Sequence, residues 1–232
     1  MIPISERILF EDNHLIVVNK LCGELVQGDR SKDETLADLV KEYLRVTYQK
    51  RGNVYLGIPH RLDRPTSGIV VYAKTEKALV RLNELFKGSS VKKVYWAIVD
   101  TPPHDIEGTL VHYIIRDTKA NKSAALPVEK RGGKLAKLDY RLISSSTNYY
   151  LLEVLLHTGR HHQIRAQLAA IGVHIKGDLK YGFKRSNPDG GICLHARMIS
   201  FIHPVKKEEI TVVAPPPSDA LWNAFAPHHS GR

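Results

Sequence analysis

Over most of its length the chain alternates between short apolar runs with a strand-like period and polar turns rich in Gly, Asn, Asp and Pro. ILFEDNHLIVVNK (8–20) reads as two short strands around Asp12-Asn13. Further strands are expected at 68–74 (GIVVYAK), 91–100 (VKKVYWAIVD), 109–117 (TLVHYIIRD), 137–144 (KLDYRLIS), 149–157 (YYLLEVLLH), 192–203 (ICLHARMISFIH) and 208–215 (EEITVVAP). Helical spacing is rarer. Leu36, Leu39, Val40, Tyr43 and Leu44 share one helical face, and Thr35 with Asp38 suits a capping box at its start. After Thr75, the residues Leu79, Leu82, Leu85 and Phe86 form a second stripe that stops at Gly88. HHQIRAQLAAIG (161–172) predicts a short helix with Ile164, Leu168 and Ile171 inward, ended by Gly172. Ser218 is expected to cap a final turn carrying Leu221, Trp222 and Phe225. Residues 118–135, rich in Lys, Asn and Gly, read as an exposed, mobile basic loop.

Strands dominate and helices are interspersed, which predicts an α+β domain on a mixed, mainly antiparallel sheet with a few flanking helices. No repeat, low-complexity tract or clear linker interrupts the 232 residues. One domain over 1–232 is therefore expected, with a core at about 8–215 and a C-terminal tail at 216–232. Apolar residues make up 43% of the chain, enough for a packed core. No apolar run approaches the roughly 20 residues of a membrane span. Cys22 and Cys193 are the only thiols, so a disulfide scaffold is excluded. No secretory leader precedes SERILFEDNH, and a cytoplasmic protein is expected. Lys plus Arg number 34 and Asp plus Glu 24, a formal charge of 34 − 24 = +10. That surplus is compatible with a polyanionic partner and equally with a solvated lysine-rich surface.

Three segments concentrate chemistry. HRLDRPTSG (60–68) sets Asp63 between Arg61 and Arg64, and Pro65 and Gly68 make regular structure there unfavourable. Two flanking guanidinium groups favour an ionised carboxylate, competent as nucleophile or base, and suit phosphates beside a bound nucleotide. An Asp in a local ion pair that merely pins the loop is the alternative. In HTGRHHQIR (157–165), Gly159 breaks the preceding strand, and Arg160, His161, His162, Gln163 and Arg165 crowd a helix start suited to anions. His157 and His161 stand four apart, but Gly159 lies between them and no acidic ligand has metal-binding spacing, so no metal is expected. In KKVYWAIVD (92–100), strand alternation puts Tyr95 and Trp96 on opposite faces, with Tyr95 beside Lys93 and Ala97. Tyr95 is then available to stack on a base, or serves as a structural Tyr at a sheet edge.

HRLDRPTSG resembles the signature loop of the RluA family of RNA pseudouridine synthases. K-V-Y-W-A-I-V (93–99) is similar to that family's second motif and G-R-H-H-Q-I-R (159–165) to its third. GDLKYG (177–182) and LHARMISFIHP (194–204) follow in the family's order, so the resemblance runs from about Ile8 to about Pro215. It implies that the chain isomerises specific uridines to pseudouridine in tRNA or rRNA stem-loops, by base flipping and without a cofactor. Asp63 matches the catalytic aspartate, held either to attack the anomeric carbon or to assist removal of a ribose proton. Tyr95 matches the tyrosine that packs on the base, and Arg165 the arginine that pairs with the aspartate. Arg61 matches an arginine that fills the gap left by the flipped nucleotide. His60, Arg64, Gly159, Arg160, Gln163 and Leu194 would frame the substrate.

The sequence departs from the family pattern at Pro65, often acidic, at His161, often Thr or Ser, and at Ala166-Gln167, often Val-His. These changes bear on local recognition more than on catalysis. Many relatives carry an N-terminal helical RNA-binding domain, whereas this chain opens on the catalytic-type strands. RNA is thus expected to be gripped by the catalytic domain itself, acting as a monomer with no obligatory protein partner. A non-catalytic RNA-binding protein on the same scaffold is the first alternative. A metal-dependent hydrolase using the clustered histidines is the second.

Overall fold

The computed structural model describes residues 2–28, 33–88 and 90–225. In chain order the strands are β1 (Ile8–Glu11), β2 (Leu15–Lys20), β3 (Ser67–Ala73), β4 (Lys92–Val99) and β5 (Glu107–Asp117). They continue as β6 (Lys122–Leu126), β7 (Lys134–Ser145), β8 (Tyr150–Leu156), β9 (Leu194–Ile202) and β10 (Glu209–Val213). The helices are α1 (Leu36–Thr47), α2 (Glu76–Lys87), α3 (Gln163–Ala170) and α4 (Ala220–Phe225), with 3-10 turns at Ile4–Arg7 and Leu179–Tyr181. The α+β class expected from the strand-rich pattern is the one found. Among the described residues no helix is long and apolar enough to cross a membrane. The chain packs as two compact units. The first takes the described part of Met1–Lys92 with Ala196–Pro215, the second Lys93–His195 with the described part of Pro216–Arg232.

In the first unit β1, β2 and β3 form successive antiparallel pairs, β9 lies next to β3, and β10 pairs antiparallel with β9. The unbroken apolar runs of β2 and β3 have the pattern of strands covered on both faces, and both are buried along nearly their whole length. Ile16, Val18, Val70 and Tyr72 pack on the stripe Leu36, Val40 and Leu44 of α1. That helix starts on the anticipated capping box, in which Thr35 Oγ1 accepts the Asp38 N–H and Asp38 Oδ2 accepts the Thr35 N–H. Thr75 caps α2, whose Ala78 and Leu82 are buried, while Leu79, Leu85 and Phe86 are half-buried.

Gly68 fixes where the loop 58–66 enters β3. Its φ is +111°, and a Cβ there would lie 2.4 Å from the carbonyl oxygen and 2.5 Å from the amide nitrogen of Ala196. Both obstacles are backbone of the neighbouring strand, so neither a rotamer change nor a small shift relieves them. Gly68→Ala is expected to lower unfolding stability by about 3 kcal/mol, read by urea denaturation.

In the second unit β4, β8, β7, β5 and β6 lie in that order, every pair antiparallel. Ala97, Val154, Leu156 and Leu138 face Ile164 and Leu168 of α3. On the opposite face Trp96, Ile98 and Leu151 meet Trp222 and Phe225 of α4. Two buried faces explain how adjacent aromatics on β4 are both accommodated. Trp96 enters the α4 side, and Tyr95, half-buried, packs on the α3 side.

Three local expectations are corrected. The stretch 118–135 is not a free loop: β6 pairs with β5 inside it, and β7 already begins at Lys134. KSAAL lacks the β-branched and aromatic residues that mark a strand, but the long β5 offers it a ladder, and buried Ser123 anchors it through its N–H to the Tyr181 hydroxyl (2.8 Å). Ile171, expected inward, is 38% exposed, because α3 ends at Ala170 and the chain turns away at Gly172. The cap of α4 is Asp219 and not Ser218: Asp219 Oδ1 accepts the N–H groups of both Leu221 and Trp222.

Candidate active site

The loop carrying Asp63 belongs to the first unit and is held by its own backbone. Asp63 C=O accepts the Thr66 N–H at 3.0 Å, closing a turn over Arg64-Pro65. Beneath that turn lies Lys20, the last residue of β2, whose side chain is 0% exposed. Its Nζ donates to the carbonyls of Thr66 (2.6 Å), Arg64 (3.0 Å) and Leu21 (3.0 Å). Burial pushes this ammonium down to about 8, partly offset by Cys22, Glu24 and Asp63. Gly23 N–H also donates to Arg64 C=O, and Cys22 Sγ to Pro65 C=O at 3.4 Å. Lys20 escaped the sequence reading, although a lysine closing the run Leu15–Val18 on the inward parity of Ile16 and Val18 was a usable signal.

The loop's other polar residues divide by use. His60 Nε2 accepts the Val71 N–H (2.9 Å), and its ring stacks on Phe86 at 4.5 Å and 14°. It thereby pins the loop to β3 and α2. The Arg64 side chain is engaged by Asp33 (2.9 Å) and by the Gly23 carbonyl (3.0 Å), so it holds the neighbouring loop instead of flanking Asp63 as a second guanidinium. Arg61 is exposed and makes no ion pair among the described residues.

The second unit gathers the third motif. Gln163 is buried and knits the turn before α3: its Oε1 accepts from Thr158 Oγ1 (2.8 Å) and Arg160 N–H (3.0 Å), and its Nε2 donates to Lys137 C=O (3.1 Å). Gly159 is exposed within that turn, and Arg160 Nε donates to Leu135 C=O. Leu194 is buried in the core cluster that Tyr95 packs against. Arg165, 5% exposed, makes a two-point ion pair with Asp178, itself 1% exposed: Nε to Oδ2 at 2.7 Å and Nη2 to Oδ1 at 2.8 Å. The Tyr181 ring lies against the same guanidinium, 4.9 Å from its centre. Asp178 and Tyr181 therefore fix the plane and reach of Arg165. Both lie in GDLKYG, noted in the sequence only as a motif.

His162 precedes α3 in the left-handed region, at φ 52° and ψ 28°. Its Nδ1 lies 2.9 Å from the Tyr181 hydroxyl, which also accepts the Ser123 N–H. Burial, then Arg165, hold its pKa down to about 3. His161 stacks on His162 at 3.8 Å, and its Nδ1 meets Ser123 Oγ at 2.9 Å. His157 instead meets Asp139 at 2.6 Å, so the two histidines four apart have separate partners.

A depressed folded-state value means that the unfolded chain binds more protons between about pH 6.5 and pH 3. Stability from His162 is fully present above about 6.5 and is lost as pH falls toward 3. Urea melts between pH 7 and pH 4 should show this loss, and His162→Gln should lower its slope by about 1.4 kcal/mol per pH unit.

A family model described as RNA pseudouridylate synthase matches residues 14–170 of the chain. An uncharacterized RNA pseudouridine synthase of Synechocystis sp. is 38% identical over 222 residues, which span 94% of this chain and 67% of that protein. Ribosomal large subunit pseudouridine synthase D of Zymomonas mobilis is 34% identical over 228 residues, 94% of this chain and 71% of the relative. Among solved structures, the human RNA pseudouridylate synthase domain containing 4 superposes with a TM-score of 0.79 at 24% identity, covering 96% of this chain and 93% of the other. That last likeness is one of fold.

Proposed function

The chain belongs to the RNA pseudouridylate synthase family, isomerases of RNA, and we propose that it acts on uridines of tRNA or rRNA stem-loops, with Asp63 as the catalytic group. The observation that carries this reading is the setting of Asp63. It heads a turn whose carbonyls are gripped by the buried Lys20, on a loop pinned by His60 and sealed against Ala196 at Gly68. A carboxylate carried on a backbone fixed by its supporting shell suits a reaction in which one group must meet one ribose carbon.

In the proposed reaction the target uridine is flipped out of its stack at a cost of a few kcal/mol. Stacking on Tyr95 returns about 1–3 kcal/mol of that. Asp63 attacks the anomeric carbon or assists loss of a ribose proton, and the bond from N1 of uracil to the sugar breaks. The detached base turns and rejoins through carbon 5, which displaces the carboxylate from the anomeric carbon or, on the other route, goes with return of the ribose proton; N1 ends protonated and the carbon 5 proton is released. Arg165, clamped by Asp178 and Tyr181, and Arg61 take the roles of the family's motif arginines that they match. The name of the Zymomonas relative favours rRNA among the targets. The test is pseudouridine mapping across rRNA and tRNA in cells lacking the protein and in cells restored with it. A site lost and regained is expected, and an unchanged map would overturn the reading.

A further inference from the structure

We propose that Lys93 is a phosphate-binding residue which, with the turn at Gly159-Arg160, receives a backbone phosphate of the RNA. The proposal rests on the RNA reading above and assigns part of its binding surface. Lys93 lies on β4 two residues before Tyr95, hence on the same face, and the residue across the ladder from it is Leu156. Its Nζ lies 3.6 Å from where a Cβ would stand on Gly159. Lys93 is half-buried, and loss of water is what lowers the pKa of its ammonium. Among the described residues it has no hydrogen bond and no ion pair. More deeply buried cations are matched: Lys74 by Glu11 at 2.6 Å, Arg7 by Glu24 at 2.8 Å, Arg165 by Asp178 at 2.7 Å.

A half-buried charge without a counter-ion costs the folded protein stability, and such costs persist where they serve a ligand. The ligand is anionic by charge. Arg160 follows Gly159 in the chain; its Nε is fixed to Leu135 C=O, and its terminal guanidinium nitrogens have no partner among the described residues. The ammonium beside a residue without a side chain leaves room for a tetrahedral oxyanion. RNA supplies phosphates at every nucleotide, and the position beside Tyr95 points to one adjoining the flipped base.

The experiment compares wild type, Lys93→Met and Lys93→Arg in binding to an RNA hairpin with a uridine-rich loop over a salt series, in steady-state kinetics, and in thermal melting without RNA. Met keeps the length and apolar contacts of the stem and removes the charge. Its log–log salt slope should be shallower by about 0.7–0.9, one phosphate contact. Affinity at low salt should fall roughly tenfold or more, the loss of one charge-assisted hydrogen bond. KM should carry nearly all of the effect, with kcat changed by less than about threefold. The free variant should melt about 2–4 °C higher, because an uncompensated charge has gone, and Lys93→Arg should keep most of the affinity. A lower melting temperature with slope and affinity intact would make Lys93 structural and overturn the proposal. So would a fall in kcat at unchanged slope, which would place the ammonium on the base. A wild type that binds no RNA would overturn the RNA reading itself, separately from either result.

Discussion

Asp63→Ala is expected to abolish pseudouridine formation, by on the order of 10⁴-fold or more, while RNA binding stays within about threefold of wild type. The asymmetry follows from where Asp63 sits. The turn it heads is fixed by backbone bonds, Asp63 C=O to Thr66 N–H and the Lys20 ammonium on Arg64 and Thr66, none of which uses the carboxylate. Truncating the side chain therefore leaves these backbone bonds in place and removes the group proposed to act on the ribose. Affinity, supplied mainly by phosphate contacts, has no reason to fall when a negative charge is deleted. Single-turnover assays on an RNA bearing the mapped uridine, with binding measured in parallel, decide it. Retained turnover would remove Asp63 from the chemistry. Parallel loss of binding and turnover would mean that the loop itself had collapsed. Asp63→Asn, which keeps the shape and loses the charge, should be as inactive as Ala.

Much of this arrangement is legible in the sequence, and the reasons differ by element. The strands β2 and β3 and the helices α1 and α2 announce themselves because burial is one-sided or complete over a whole element, which leaves a clean period in the residues. HRLDRPTSG reads as a shaped loop because Pro65 disfavours anything regular before β3 begins at Ser67, and Gly68 stands where a Cβ would meet the backbone of Ala196. What sequence reasoning misses are features set by a distant partner. β6 exists because β5 overhangs and because Tyr181, 58 positions from Ser123, accepts its N–H. Arg165 is held by Asp178 and Tyr181 from a following turn, a pairing that no local pattern encodes. Arg64 looked like a second cation for Asp63, but its side chain is spent on Asp33 and Gly23. Composition counts such charges and cannot say which are already matched.

The same contrast sharpens the meaning of the charge surplus. Of the cations named in the two motif loops, Arg64 and Arg165 are committed to carboxylates, whereas Arg61 is exposed and Arg160 holds the chain only by Nε. The buried Arg165–Asp178 pair is not given up for a phosphate, because separating it would leave a buried charge uncompensated. The unmatched group on each unit is therefore the one that substrate contact should be sought on.

Lys20→Met should leave unfolding stability within about 2 kcal/mol of wild type and yet slow pseudouridine formation about 10²-fold. Two large terms nearly cancel in the first quantity. Burial lowers the ammonium from 10.5 to about 8, so keeping it charged at neutral pH costs about 3 kcal/mol, which Met relieves. Against this, the carbonyls of Leu21 and Thr66 lose their donor, at about 1–2 kcal/mol each, whereas Arg64 C=O keeps the Gly23 N–H. The rate enjoys no such cancellation, because the Thr66 carbonyl set free belongs to the turn that Asp63 heads, and a displacement of about 1 Å there costs about 10²-fold. The pH dependence separates the two effects. Because the folded value lies below the unfolded one, the unfolded chain binds more protons between about pH 8 and pH 10.5, so this residue makes stability rise with pH across that window. Turnover should fall over the same window, since a neutral amine has two protons for three carbonyls. Opposite slopes for melting and rate in the wild type, both flattened in Lys20→Met, are the expected signature. A Met variant that turns over at the wild-type rate would show that the turn holds without the lysine.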